Sequence, residues 1–302
     1  MRPATGTATP SNLDGQPGAQ PFKAALVQLC SGEDVAENID VASRLITEAA
    51  QAGASYVQTP EVTTLMVMKR DLLFARAEPF EGHRAVEAFS SLARELRIWL
   101  HIGSMVVKVS DEKVANRAVI FDPLGRLVTT YDKIHMFDVD LPGGERYRES
   151  TNYRPGDTAK LVQTPWGGLG VTICYDMRFA PLYAALAGAG ALFVTMPSAF
   201  TVPTGLAHWH TLLRARAIET QCFVLAAAQA GQHACGRTTY GHSLIISPWG
   251  EILAEGDGES VSVITADIDP ALIHDARTRV PSLRHIVPFN VETVRDRSDE
   301  AQ

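Results

Sequence analysis

The sequence predicts an α/β fold of mixed sheets covered by helices, and three observations lead there. Short apolar runs alternate with amphipathic helical stretches along most of the chain. Several runs are joined as hairpins through turn signals such as Pro123-Leu124-Gly125 and Pro248-Trp249-Gly250, which argues for mixed rather than purely parallel sheets. Finally, the 302 residues are 46% hydrophobic, and no composition break or polar linker divides the body. One domain with a large core follows, spanning 22–290, with tails at 1–21 and 291–302.

Lys23–Gln28 reads as the first strand. Asp34–Gly53 carries apolar residues at helical period and is stopped by Gly53. Ser55–Gln58 is the next strand and runs into Thr59-Pro60-Glu61. Glu81–Leu96 reads as a second amphipathic helix, and Trp99–Lys108 and Arg117–Phe121 as strands. Leu127–Tyr131 ends at Asp132-Lys133, and Gly168–Ile173 ends at Cys174. Ala191–Met196 is a strand closed by Pro197, His208–Thr220 is helical, and Phe223–Gln229, Leu244–Ser247 and Val261–Asp267 complete the strands.

Composition excludes several classes of function. The net charge is -7, and no run of Lys and Arg offers a phosphate-binding face, so nucleic acid is not an expected partner. The longest apolar run, Tyr183–Val194, is broken by Gly188 and Gly190 and falls short of a membrane span. The same glycines end a helix and enter a strand, the reverse of a dinucleotide-binding loop. Residues 1–21 have no apolar signal-peptide region, so Cys30, Cys174, Cys222 and Cys235 are expected to stay reduced in a cytoplasmic protein. His208 and His210 sit two apart on a helix, face different directions and have no cysteine pair beside them, so no metal is expected. Arg214, Arg216 and Glu219 read as helix-surface or interface pairs, and the cysteines other than Cys174 as core residues.

Chemistry gathers at three strand ends. Glu61, Lys133 and Cys174 each follow an apolar strand, and residues just past strand carboxyl ends converge in the crevices where α/β folds place sites. A thiol needs a base or a positive neighbour to attack a carbonyl carbon at neutral pH. Glu61 can take the thiol proton and later activate water, and Lys133 can stabilise the thiolate and a developing oxyanion. The backbone N–H of Tyr175, on the turn after the nucleophile, is the second oxyanion donor. These groups complete the chemistry without a cofactor.

The segments around these residues, TPE at 59–61, YDKIHMFD at 131–138 and GVTICYDMRF at 170–179, resemble in order and spacing the three signature segments of the nitrilase superfamily of carbon–nitrogen hydrolases. The resemblance covers about residues 23–281. It implies a four-layer α-β-β-α sandwich, a cysteine-dependent amidase with Glu61 as base, Lys133 as stabiliser and Cys174 as nucleophile, and a homodimer or larger assembly. It also implies a second site glutamate within RESTNYRPGD at 148–157, carried to Glu149 with Glu145 competing. The sequence departs from the pattern where Ala180 precedes Pro181. The stretches PSAF, LLRARAIE and AAAQ resemble the branch acting on deaminated glutathione more than the ω-amidases, implying a small amide carrying carboxylates. Phe200, Thr201 and Thr204, in the loop after a strand, are candidate pocket residues.

Overall fold

The computed structural model describes residues 20–141 and 144–294. The expected tails lie outside the described residues, apart from positions 20–21 and 291–294. The first sheet begins with β1 (Phe22–Gln28), β2 (Tyr56–Gln58), β3 (Trp99–Lys108), β4 (Val114–Phe121) and β5 (Leu127–Asp132). The second sheet takes β6 (Lys160–Thr164), β7 (Gly167–Val171), β8 (Ala191–Thr195), β9 (Phe223–Ala226), β10 (Leu244–Ile246) and β11 (Ile252–Glu255). The last strand, β12 (Ser262–Ile268), returns to the first sheet.

Strand order is β12-β1-β2-β3-β4-β5 in one sheet and β11-β10-β9-β8-β7-β6 in the other. Each sheet has the same plan. Three consecutive parallel strands, β1-β2-β3 or β7-β8-β9, are flanked by antiparallel neighbours on both sides. Both sheets are therefore mixed, as the hairpins in the sequence predict.

Period-two alternation sorts side chains into layers. Ala24 and Leu26 of β1 belong to a core shared with Val171, Phe193 and Val224 of the second sheet. Ala25 and Val27 of the same strand pack with α1 (Val35–Gln51) and α3 (Arg84–Leu96), through residues such as Leu45 and Phe89. On the far side, α4 (Ala180–Gly188) and α5 (Val202–Thr220) cover the second sheet with Tyr183, Leu186, Trp209 and Leu213. The result is helix, sheet, sheet, helix.

Local chemistry sets the helix ends. Asp34 caps α1 by accepting from the N–H groups of Ala36 and Glu37, and Gly53, at φ +91°, follows the last turn. The structure adds α2 (Arg70–Arg76), β6 and α6 (Ala271–Arg279), none of which the sequence pattern announces. It also starts α5 at Val202 rather than His208, because Pro203 suits a first helical turn. No helix among the described residues is long and apolar enough to cross a membrane.

A polar network is buried at the centre of the sandwich. The Tyr56 hydroxyl donates to Gln58 Oε1 (3.1 Å) and lies 3.0 Å from His101 Nδ1, while Gln58 Nε2 donates to the Leu225 carbonyl in the opposite sheet (3.1 Å). Burial pushes the His101 imidazole down to about 3 from its ordinary 6.5. Between those values the unfolded chain binds one proton more than the fold, so stability is full above 6.5 and falls as pH drops. The slope is about 1.4 kcal/mol per pH unit for this group. Denaturant titrations from pH 4.5 to 7 should therefore show a shallower pH dependence in His101→Gln than in wild type, and equal slopes would remove His101 as the cause.

Candidate active site

Glu61 sits in a turn that lies directly on β3. The Thr59 N–H donates to the His101 carbonyl (3.0 Å), and the Gly103 N–H donates to Thr59 Oγ1 (3.1 Å). A Cβ at Gly103 would fall 2.1 Å from the Thr59 carbonyl oxygen and 2.7 Å from that of Pro60, so only glycine permits this approach. Val62 then adopts φ +51° and its N–H donates to Ser104 Oγ (2.7 Å). The Glu61 carboxylate is thereby aimed back over the sheet end.

Lys133 follows β5 and is only 2% exposed. Its Nζ donates to Glu61 Oε1 (2.9 Å) and to both oxygens of Glu149 (3.1 and 2.9 Å). Asn116, at the start of antiparallel β4, donates its amide to Glu61 Oε1 (2.9 Å) and Glu149 Oε1 (3.2 Å). The Phe137 N–H bonds Glu149 Oε2 (2.6 Å), and the Ala199 N–H bonds Glu61 Oε2 (2.8 Å). Glu61 and Lys133 thus come from strands β2 and β5, which are not neighbours in the sheet. They meet because β2 and β5 end at the edge where antiparallel β4 begins.

Cys174 enters from the other sheet. Glycine-rich β7 leads to it, and at Gly168 a Cβ would meet the Gly190 carbonyl oxygen at 2.5 Å, so the turn after α4 packs close. Cys174 takes φ +48°, unusual for a residue with a side chain, and opens a tight turn over Cys174–Arg178. Its N–H donates to the Pro197 carbonyl (2.9 Å). The fully buried Asp176 anchors this turn: it accepts from the Ile173 N–H (2.9 Å), the Tyr131 hydroxyl (2.6 Å) and the His135 N–H (3.0 Å). Tyr131 and His135 flank Lys133, so one carboxylate ties the cysteine turn to the lysine segment.

Electrostatics define the resting state. Burial opposes ionisation of Glu61, but the Lys133 ammonium outweighs it and holds the carboxyl below its ordinary 4.5. Burial likewise disfavours charged Lys133, yet Glu149 and Glu61 raise it well above the ordinary lysine value. The Cys174 thiol is pushed up to about 12, first by burial and then by the Glu61 charge, with Lys133 opposing. At neutral pH the set is carboxylate, ammonium and neutral thiol. The thiol hydrogen-bonds to Glu61.

These groups form the floor of a cavity of about 270 Å³. Tyr175, Phe200, Thr201 and Thr204 line it, as do Tyr147, Tyr153 and Arg237, which the sequence reading missed. Glu149, not Glu145, reaches Lys133; Glu145 is exposed and accepts from the Tyr147 hydroxyl (3.0 Å). Two sequence readings need correction. Arg216 does pair with Glu219, but it is buried rather than on the surface, with Nε donating to the Met177 carbonyl of the cysteine turn (2.8 Å), because α5 packs directly on that turn. Cys30 and Cys235 are partly exposed rather than core, and all four thiols are free.

Outside the cavity, His210, His242 and Glu255 bring ligand atoms within 4.8 Å of one another. His210 alone was visible as a member, because the other two arrive from distant segments. Asn116 could have been suspected from the polar pair Asn116-Arg117 inside the apolar run of β4. Asp176 and Arg237 offered no such signal.

Residues 23–278 match the Carbon-nitrogen hydrolase family. The chain is 40% identical over 271 residues to the deaminated glutathione amidase of Yersinia enterocolitica, covering 86% of this chain and 91% of that protein. It is 38% identical to omega-amidase NIT2 of Xenopus tropicalis, covering 87% and 94%. Among solved structures, the Caenorhabditis elegans NitFhit protein superposes with a TM-score of 0.82 at 35% identity, covering 93% of this chain and 66% of that longer one. Saccharomyces cerevisiae Nit3, of the nitrilase superfamily, superposes with a TM-score of 0.78 at 32% identity, covering 87% and 95%. This chain belongs to the carbon–nitrogen hydrolase family, and its fold is the nitrilase sandwich. It is an amidase, cleaving the carbon–nitrogen bond of an amide.

Because Asn116 bridges both carboxylates, Asn116→Ala should misplace Glu61 and Glu149 and lower stability, so its activity is read on protein that circular dichroism shows to be folded. Steady-state assays should show kcat down about 10²-fold; a loss under threefold would mean that Lys133 alone suffices to hold them.

Proposed function

We propose that this chain hydrolyses a small amide bearing free carboxylate groups, of the deaminated-glutathione type, through a thioester on Cys174. One observation carries the reading: buried Lys133 is clamped between two carboxylates while the Cys174 thiol rests against one of them. The identity to amidases of deaminated glutathione supports the substrate class. A single hydrolase domain over 22–290 accommodates every residue involved. Exposed Leu206 and Ile218 on α5 support pairing of two copies through that helix.

Ionised Glu61 takes the thiol proton as Sγ attacks the amide carbon. The carbonyl oxygen becomes an oxyanion held by Lys133 Nζ and the Tyr175 N–H. Protonated Glu61 then gives its proton to the departing nitrogen, the C–N bond breaks and the thioester remains. Water enters, loses a proton to Glu61, attacks the thioester carbon and expels the thiol. Carboxylic acid and amine leave. Glu149 never exchanges a proton; it keeps Lys133 charged and in place. For a deaminated tripeptide the products are an α-keto acid and a dipeptide.

The identity to omega-amidases favours a second reading, hydrolysis of ω-amides such as α-ketoglutaramate with ammonia as product. A panel containing both substrates separates the two by whether dipeptide or ammonia accumulates faster. Cys174→Ala should fold normally and lose turnover by about 10³-fold or more. Unchanged product release in that variant would refute the thioester route.

The pH profile follows from the shifted groups. Activity requires ionised Glu61, whose carboxyl lies below 4.5, and charged Lys133, which is raised. The rate should stay flat through neutral pH and fall only on the acid side of 4.5 in short assays that precede unfolding. A thiolate-type rise with an apparent pKa near the ordinary thiol value of 9.0 would contradict proton transfer to Glu61.

A further inference from the structure

Among the described cations that line the cavity, one makes no ion pair, although its charge helps keep Glu61 ionised. Lys133 is paired with Glu61 and Glu149. Arg146 and Arg148 both pair with Asp140 (3.3 and 2.9 Å). Arg237 makes no ion pair among the described residues. Its guanidinium donates to the Ala199 carbonyl and reaches Met66 Sδ only at 3.9 Å. Its Nε is buried without any hydrogen-bond partner. Its guanidinium carbon lies 5.5 Å from the centroid of the Tyr147 ring, within cation–π range.

An unspent guanidinium on a cavity wall is costly unless a ligand completes it. The position is also informative. Ala199 presents its carbonyl to Arg237 and its N–H to Glu61 and the Cys174 thiol. The cation and the nucleophile therefore stand on opposite sides of one residue, which spans at most about 3.6 Å. An acyl chain with its carbonyl on Cys174 would reach Arg237 with a group roughly two to four carbons away. That group must be a planar anion of low charge. The walls there include apolar Phe137 and Phe200, which offer no partner to a second charge. A carboxylate fits the fork in bidentate fashion and adds one charge, which Arg237 cancels.

We propose that Arg237 is the specificity-determining anchor of this site, binding the free carboxylate of an amide whose carbonyl lies on Cys174. The inference rests on the amidase reading and assigns its charge selectivity to one side chain. The test compares glutaramate with neutral pentanamide in wild type, Arg237→Gln and Arg237→Lys. In Arg237→Gln the ratio of kcat/KM for glutaramate over pentanamide should fall by about 30-fold, carried mainly by KM, since a charge-assisted bidentate contact is lost. Arg237→Lys, which keeps the charge without the fork, should retain part of the preference. A ratio within twofold of wild type in Arg237→Gln would overturn the assignment. Calorimetric binding of glutarate keeps this test separate from catalysis. Affinity should fall at least about tenfold in Arg237→Gln. Equal glutarate affinity overturns the anchor even if the protein is an active amidase, and lost affinity upholds it even if neither amide is turned over.

Discussion

Three charges buried together, Glu61, Lys133 and Glu149, constrain everything around them. Removing each ion from water costs several kcal/mol, and mutual attraction offsets that only with close geometry and satisfied lone pairs. The structure meets both demands. Every contact between Lys133 and the two carboxylates is 3.1 Å or shorter, and Asn116, Phe137 and Ala199 supply N–H donors to the carboxylate oxygens. Those donors come from β4, the segment after β5 and the loop after β8. The cluster therefore requires both sheets to be assembled before it can be stable. It reads as a lock on the sandwich as much as a catalytic device.

The two sheets are coupled a second time through Asp176. A carboxylate at full burial accepts from the backbone of its own turn and from Tyr131 and His135 on either side of Lys133. Rotation of the cysteine turn would strand these donors, so the Cys174 thiol is held against Glu61 by hydrogen bonds that touch neither group. Arg216 of α5 grips the same turn from the outside. This rigidity matters because the thiol is not preionised. Burial and the Glu61 charge keep it protonated, so in the mechanism proposed above the proton moves as the sulfur attacks. A concerted transfer of that kind is sensitive to distance, and the surrounding bonds set the distance.

Much of this was legible in the sequence, and the reason is geometric. Glu61, Lys133 and Cys174 each terminate an apolar run, so a one-dimensional pattern marks them as strand-end residues. The alternation of strands such as β1 and helices such as α1 announces sheets covered by helices, while the four-layer order was implied only by the resemblance of the three segments to the nitrilase superfamily. Asn116 was less visible because it starts a strand rather than ending one, and only the antiparallel direction of β4 brings it to the same edge. Arg237 lies in a short hairpin and acquires meaning from the Ala199 carbonyl and the Tyr147 ring, both remote in sequence. Arg216 looked like a helix-surface residue because its burial depends on the path of the cysteine turn. The choice between Glu145 and Glu149 turned on a one-turn helix that periodicity cannot register.

The ionisation that binds the sandwich is also the one the proposed chemistry needs. With Glu61 held below its ordinary value and Lys133 above, carboxylate and ammonium persist together across the neutral range. Stability from Glu61 is present above its unfolded value of 4.5 and is lost as pH falls through the lower folded value. Protonation there removes the proposed base and at the same time leaves Lys133 a poorer partner set in a buried place. In the proposed mechanism acid therefore takes activity and cohesion in the same step, while the Cys174 thiol stays neutral throughout. A site built this way cannot be tuned by shifting one pKa in isolation, because the group proposed to move the proton is also one that holds the sheets together.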